Sequence, residues 1–368
     1  MPLSVSERQR YQKHLSLSSI GETGQLRLKN AKILVVGAGG LGCPVLLYLT
    51  AAGIGQLGVI DPDVVEISNL QRQVLYRTQD IGQPKAKVAV ESLQKNNPEI
   101  SFQFYVKALV RDNALDILKN YDLVIDCTDN FTVRYVINDA CVMLNIPFVY
   151  GAIHQFEGQV SVFNYQNGPS YRCIFPEKPT DFEIPNCATV GVMGILPGII
   201  GSLQANEAIK IITQIGQVLS GQLLMMDLLE NTQRKIRFKR NEEAIALAHG
   251  SWNVEKVKNE NKMNTISVEQ LKQLVDNKAD MVLLDVREEY EYELCALPNA
   301  LLIPMNSIPE NLEKIPKNKP VLVYCHHGMR SASVINYLET KAGFDNLSNL
   351  TGGIHAWAVA IDAEMARY

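Results

Sequence analysis

The sequence predicts two α/β units in tandem, a doubly wound parallel sheet followed by a smaller α/β domain. Three observations carry that reading. Short β-branched runs alternate with helix-like stretches in both halves, the pattern of strand–helix–strand units. The first run ends in a glycine-rich turn, Gly37-Ala-Gly39-Gly40-Leu-Gly42. Between the halves, residues 249–264 mix charge and amide with few apolar side chains and read as a linker. The expected organisation is 1–248, a linker over 249–264, and 265–368.

Taken in order, Ser4-Val-Ser-Glu7 fits a capping box that opens a helix running through Lys13. Ala31–Val36 is a buried parallel strand, and Leu57–Asp61, Asp122–Asp126 and Pro147–Tyr150 are three more. Gly42–Ala52 and Lys85–Lys95 are the helices between them. From Gly158 the pattern changes: Gln159–Phe163 alternates like an antiparallel strand, and Gly201–Ile215 reads as a long buried helix. After the linker, Ile266–Leu271 opens a helix, and Met281–Asp285 and Val321–Cys325 are strands.

With 368 residues, 46% hydrophobic and 20% charged, the chain supports two cores without disulfide or metal staples and is too apolar to be disordered. A net charge of −4 without a basic stripe argues against nucleic acid as a partner. No secretory leader and no membrane span is expected, because no long apolar run is present. Seven scattered cysteines with no Cys-x-x-Cys pair suit reduced thiols in a cytoplasmic protein.

The glycine turn follows a strand and opens a helix, and Asp61 lies 19 residues beyond Gly42, at the end of the next strand. This is the dinucleotide-binding fingerprint: glycines let backbone N–H groups approach phosphate, and the carboxylate takes ribose hydroxyls. It suits NAD, FAD or ATP alike. The residues downstream favour a triphosphate. Ser68-Asn69-Leu70-Gln71-Arg72 carries a guanidinium, Lys85 places an ammonium at a helix start, and Asp129-Asn130 ends a strand. Hydride transfer has no need of two further cations and a carboxylate. ATP with Mg²⁺ does: Arg72 and Lys85 would clamp the phosphates and Asp129 would hold the metal.

The motifs GAGGLGCP, SNLQRQ, GQPK, DCTDN, EGQ and NCATVGVMGILPG, in that order from about Arg10 to Arg240, resemble the E1-like activating enzymes of the MoeB, ThiF and HesA group. The resemblance implies a Rossmann-like domain that adenylates the C-terminal Gly-Gly of a ubiquitin-like sulfur carrier of the MoaD, ThiS or CysO type, and a symmetric homodimer. It places nucleotide contacts on Gly40, Asp61, Asn69, Arg72, Lys85 and the Mg²⁺-binding Asp129, with Asn130 beside it. The sequence departs from the family at two places. Lys13 stands where an arginine reaching the other subunit's phosphates is expected, so Arg8 or Arg10 is an alternative source of that charge. A structural zinc on two Cys-x-x-Cys pairs is not expected, because Ser170-Tyr-Arg-Cys173 keeps one thiol and 240–248 has none. Cys187 falls on the family's catalytic-cysteine position. Cys43, Cys127 and Cys141 read as core packing.

In the second half, Cys325-His-His-Gly328-Met-Arg330 follows a strand and precedes a helix, so loop N–H groups, the helix N-terminus and Arg330 all favour a thiolate or persulfide anion. His326 and His327 read as loop polarity and Cys295 as packing. With Leu284–Glu288, Leu297–Pro304 and Gly352–Trp357, this domain is similar to rhodanese sulfurtransferases, which implies Cys325 as persulfide carrier. Four residues separate cysteine and arginine, a loop sized for one sulfur atom. A fusion of the two activities implies carrier adenylation followed by sulfur transfer from Cys325, with the donor a cysteine desulfurase or thiosulfate. Two alternatives stay open: an adenylation-only enzyme whose second domain docks partners or accepts sulfur, and a NAD-dependent oxidoreductase.

Overall fold

The computed structural model describes residues 2–178, 191–253 and 263–368. The chain divides into two compact units, one ending near 255 and the other occupying the C-terminal part. In the first, the strands are β1 (Lys32–Val36), β2 (Gln56–Ile60), β3 (Ser101–Tyr105), β4 (Leu123–Asp126), β5 (Phe148–His154), β6 (Glu157–Phe163), β7 (Gln222–Asp227) and β8 (Thr232–Arg237). Its helices are α1 (Val5–Arg10), α2 (Gln12–Leu15), α3 (Gly21–Asn30), α4 (Gly42–Ala52), α5 (Lys85–Asn96), α6 (Arg111–Leu118), α7 (Phe131–Leu144), α8 (Ile195–Thr213) and α9 (Glu242–Asn253). The sheet runs β3-β2-β1-β4-β5-β6-β7-β8, parallel as far as β5 and antiparallel beyond.

Alternation along β1 explains the layers. Ile33 and Val35 face one helical layer with Leu46, Leu49 and Leu93, while Leu34 and Val36 face the other with Leu118, Ile137 and Ala140. A strand buried on both faces reads as a continuous apolar run, which is why this one was legible. The capping box forms as expected, with Glu7 N–H donating to Ser4 Oγ and Ser4 N–H to Glu7 Oε2. The helix stops at Arg10 because Tyr11 leaves helical geometry, at φ −97° and ψ 16°, where its buried hydroxyl accepts a hydrogen bond from Asn97. The long helix α8 starts at Ile195, earlier than expected, since Pro197 sits in its first turn, where no backbone donor is lost. Helix α9 continues to Asn253, into the expected linker, of which 254–262 lie outside the described residues.

The second unit has β9 (Thr265–Ile266), β10 (Val282–Asp285), β11 (Leu301–Leu302), β12 (Val321–Tyr324) and β13 (Leu347–Leu350), with α10 (Val268–Asp276), α11 (Glu289–Leu294), α12 (Met329–Ala342) and α13 (Gly353–Ala360). Its sheet is parallel throughout, in the order β11-β10-β12-β13-β9. In each sheet the strand order reverses once in the middle, between β1 and β4 in the first and between β10 and β12 in the second, and ligands in such sheets bind beyond the strand ends at that reversal. The glycine turn follows β1 and the Cys325 loop follows β12. No helix among the described residues is long and apolar enough to cross a membrane.

Candidate active sites

The turn after β1 presses backbone against backbone at Gly37 and Gly42. Gly37 has φ +92°, and a Cβ there would stand 2.7 Å from the carbonyl oxygen of Cys127. A Cβ on Gly42 would stand 2.1 Å from the carbonyl oxygen of Gly37. These two glycines are therefore required by the turn itself. Gly39 and Gly40 are different: they face side chains, Gly39 toward Gln73 and Gly40 toward Pro197 and the stem of Arg72. The turn hands over to α4 at Gly42, so its N–H groups sit at the positive end of a helix.

Asp61 is buried, and each of its oxygens takes a backbone N–H, Oδ2 from Ala38 at 2.7 Å and Oδ1 from Asp63 at 2.8 Å. Burial pushes its pKa up, against those hydrogen bonds and the charge of Lys85. Each oxygen keeps lone-pair capacity for a further donor. The hydroxyl of Tyr76 ties the turn from below by donating to the Ala38 carbonyl at 2.7 Å.

Ser68 and Asn69 lie in a short 3₁₀ turn, Ile67–Asn69, with Leu70 packed half-buried behind it and Gln71 exposed. Buried Asn69 pins the turn by accepting from the Glu66 N–H. Arg72 is half-buried, donates to the Ser68 carbonyl at 3.0 Å and lays its stem against Gly40, so glycine turn and guanidinium are brought together. Lys85 begins α5 as expected, but its buried ammonium is held 3.0 Å from Asp63 Oδ2. Asp129 is exposed after β4, and Asn130 caps α7 by accepting from Val133 N–H. The neighbouring Asp126 is committed elsewhere, to buried Arg134 and to Thr128. Of the N-terminal cations, Arg8 pairs with Glu22, Arg10 donates to the Asn96 carbonyl, and Lys13 is exposed on α2. Sequence reasoning missed Asp63, Gln73 and Tyr76. Gln73 Oε1 is buried beside Gly39 and, among the described residues, has no hydrogen-bond partner, an acceptor that a ligand in the turn would satisfy.

Cys173 sits at the end of a 3₁₀ turn where its sulfur accepts the N–H groups of Ser170 and Asn241, each at 3.3 Å. Cys43, Cys127 and Cys141 are buried, and burial pushes their thiols up, that of Cys43 to about 12. Cys187 lies outside the described residues.

The second site is compact. Cys325 is buried at the end of β12, and its sulfur accepts the Gly328 N–H at 3.1 Å and the Ser331 hydroxyl at 3.5 Å. Gly328 has φ +92° and begins α12, whose N-terminus thereby points at the sulfur loop. Asn349, from β13, holds the loop by donating to the Gly328 carbonyl. Arg330 is not a lone charge: both its terminal nitrogens bind Glu291, each at 2.6 Å. Burial opposes ionisation of Glu291, but Arg330 and the Glu288 N–H outweigh it and hold its carboxyl at about 2. Tyr368 bridges Glu291 to Arg287, and Arg287 in turn is paired with Asp285 in full burial. Cys295 is half-buried against this core and receives a long contact from Arg287. His326, His327 and His355 stand together above the loop. Burial first, then the two neighbouring imidazoles, pull His326 down to about 4. The sequence reading gave no role to Glu291, Ser331, Asn349 or His355: Glu291, Asn349 and His355 reach the loop from other elements, and Ser331 follows Arg330 directly in α12.

Family models match two separate stretches of the chain. The model of the ThiF family matches residues 11–246, and that of the rhodanese-like domain matches 267–360. The chain is 40% identical to the probable adenylyltransferase/sulfurtransferase MoeZ of Mycobacterium tuberculosis, over all of this chain and 96% of that one. It is 51% identical to the sulfur carrier protein adenylyltransferase of Thermus thermophilus, over 66% of this chain and 91% of that one. Among solved structures, that of Escherichia coli MccB with ATP covers 63% of this chain and 72% of its own at TM-score 0.56 and 24% identity, a likeness of fold.

Proposed function

The chain belongs to the ThiF family and carries a rhodanese-like domain after it, and from that premise we propose that it adenylates the C-terminal Gly-Gly of a ubiquitin-like sulfur carrier and then converts the adenylate to a thiocarboxylate. The observation that carries this is the pairing on one chain of a phosphate-cradling turn with a sulfur-cradling loop. ATP lies on Gly37, Gly39, Gly40 and Gly42, with its ribose on Asp61 and its phosphates toward Ser68–Arg72 and Lys85. Mg²⁺, when bound with ATP, neutralises phosphate charge, and exposed Asp129 is the carboxylate available to hold it, with Asn130 alongside.

The carrier carboxylate attacks the α-phosphorus, and pyrophosphate leaves. Arg72 offsets the charge that builds on the phosphate oxygens. The terminal sulfur of a Cys325 persulfide then attacks the acyl carbon, and AMP leaves, giving an acyl disulfide. A second thiol, assigned to Cys187, attacks the Cys325 sulfur and releases the thiocarboxylate. A Cys187–Cys325 disulfide remains, which an external thiol reduces. Gly328 N–H and Ser331 hold the sulfur anion, and Arg330 is fixed by Glu291 at the same loop. A cysteine desulfurase or thiosulfate supplies the sulfur.

The working assembly is a homodimer in the cytoplasm. Its support is an apolar groove of about 1030 Å³ between α4 and α8, where exposed Tyr48, Val74 and Ile195 adjoin Arg10 and Arg72. In a dimer through this face, Lys13 supplies the charge that Arg8 and Arg10 have spent on other partners. We infer that the first unit folds without zinc, since Cys173 is one thiol where a tetrahedral site needs four ligands, with Ser170 in place of a second and no cysteine in 240–248. The test is carrier-dependent ATP–pyrophosphate exchange with each ubiquitin-like carrier of the source organism. At least one carrier should support exchange. Exchange with none, from a folded and ATP-binding protein, would sink the assignment.

A further inference from the structure

Three of the six histidines in the chain converge on one point of the second unit. His326 and His327 follow Cys325 in the loop, and His355 comes from the first turn of α13, 28 residues after His327 in sequence. A ring nitrogen of each lies within 4.8 Å of the others. The rings are packed, with centroids 4.2 Å apart for His326 and His327, 4.9 Å for His327 and His355, and 5.5 Å for His326 and His355.

Two features separate this from loop polarity. The scaffold is rigid: the His355 N–H donates to the His326 carbonyl at 3.0 Å and the Ile354 N–H to the Cys325 carbonyl at 2.9 Å, so the two segments are stitched together beneath the rings. A Cβ on Gly353 would stand 2.2 Å from the His326 carbonyl oxygen, which shows how closely they are pressed. The second feature is an unmet polar atom. His355 Nδ1 is buried and, among the described residues, has no hydrogen-bond partner. A buried nitrogen left in that state costs free energy that a bound cation would recover.

Three imidazoles with no carboxylate among them are the donor set of a borderline cation such as Zn²⁺, Co²⁺ or Ni²⁺, not of Mg²⁺ or Ca²⁺. With metal–nitrogen bonds of ~2.0–2.1 Å, tetrahedral ligands sit roughly 3.4 Å apart. Closing from the observed spacing asks for side-chain rotation, for which exposed His327 has room. His326 is steadied on its other side by the Tyr368 ring, 4.3 Å away between centroids.

We propose that His326, His327 and His355 form a binding site for a borderline divalent cation, with a fourth position open, and that its occupancy slows sulfur transfer at Cys325. The second half rests on Cys325 as the sulfur carrier, and the first half does not. A cation held by two residues adjoining Cys325 caps the loop through which a donor reaches the sulfur. It binds reversibly and is no staple for the fold, so a chelator removes it with the secondary structure intact.

The test titrates the full chain with Co²⁺, followed by its visible d–d bands, and with Zn²⁺ against a chromogenic chelator. One equivalent should bind, about tenfold or more weaker in His355→Ala and in His327→Asn, and unchanged in His154→Ala, which alters an exposed histidine elsewhere. His327→Asn decides the matter should His355→Ala fold poorly. Cys325→Ala should bind as the wild type does. Loss of binding in Cys325→Ala, or equal affinity in both histidine variants, would overturn the site. The activity arm measures transfer from thiosulfate with and without Zn²⁺. The wild type should be inhibited and His327→Asn much less so, with pyrophosphate exchange untouched in both. Inhibition that persists in His327→Asn would overturn the gating role while leaving the function reading intact.

Discussion

The glycine turn after β1 and the cysteine loop after β12 are built alike: each lies at the carboxyl end of a parallel strand, beside the reversal of strand order, and opens a helix. They differ in what they do with charge. At the first, Asp129 is exposed and, among the described residues, the Arg72 guanidinium reaches the Ser68 carbonyl and no carboxylate, while Lys85 alone is paired, with Asp63. At the second, Arg330 is clasped by Glu291 and Arg287 by Asp285. A site for a polyanion with its own metal keeps charges open, because the ligand completes the pairing. A site for one sulfur atom needs little net charge, and N–H and O–H donors on Cys325 suffice.

The sharpest way to break the comparison is through the glycines, since the first loop contains one, and the second is packed against one at the start of α13, that cannot bear a side chain. Gly42→Ala brings a methyl to 2.1 Å from a backbone oxygen, and Gly353→Ala to 2.2 Å at φ +60°. Each should abolish the chemistry of its own unit and spare the other: Gly42→Ala loses pyrophosphate exchange, and Gly353→Ala loses sulfur transfer to cyanide. Both assays run on the same preparation. Loss of both activities from either change would show that the units are not independent.

Next in size is Arg72→Ala. Removing one preorganised donor from a developing negative charge should lower carrier-dependent exchange by about 10²–10³-fold. Asp129→Ala should do at least as much. Rates near wild type in both variants would mean that the open charges are solvated surface.

At the cysteine loop the corresponding change acts on stability. Glu291→Gln leaves Arg330 in a partly buried place without its counter-charge, which should cost about 1–3 kcal/mol in the unfolding of the second unit, read by denaturant titration. The sign of the pH effect comes from the lowered carboxyl. Glu291 titrates near 2 in the folded protein and at ~4.3 when unfolded. The unfolded state therefore binds more protons between these values, so the pair's contribution is whole above the upper value and fades as pH falls toward 2. Glu291→Gln should flatten that acid limb. An unchanged slope would place the acid sensitivity elsewhere. The smallest effect belongs to Ser331→Ala, which removes one weak donor from the sulfur and should slow transfer by about tenfold or less.

Legibility in the sequence tracks burial and distance. β1, β2, β4 and β12 announce themselves because strands covered on both faces are uniformly apolar. Strand β8, Thr232–Arg237, is exposed along its whole length and carries no apolar signal, and β3 shows only partial burial at the sheet edge. The glycine turn and the Cys325 loop are local motifs and were readable as such. The Glu291–Arg330 pair spans 39 residues, with β11 and β12 between, and the Lys85–Asp63 pair spans 22, with two 3₁₀ turns between, and no spacing rule reaches that far. The histidine trio shows the same limit, since His355 meets His326 only through the packing of α13 under the loop.

The central claim is that one chain makes the electrophile at one loop and delivers sulfur from the other. It is tested most directly by Cys325→Ala, assayed in one reaction for pyrophosphate exchange and, by intact mass, for replacement of a carrier carboxylate oxygen by sulfur. The account predicts exchange at the wild-type rate and no thiocarboxylate. Thiocarboxylate formed at the wild-type yield would contradict it and leave an adenylating enzyme whose second domain only docks or accepts sulfur.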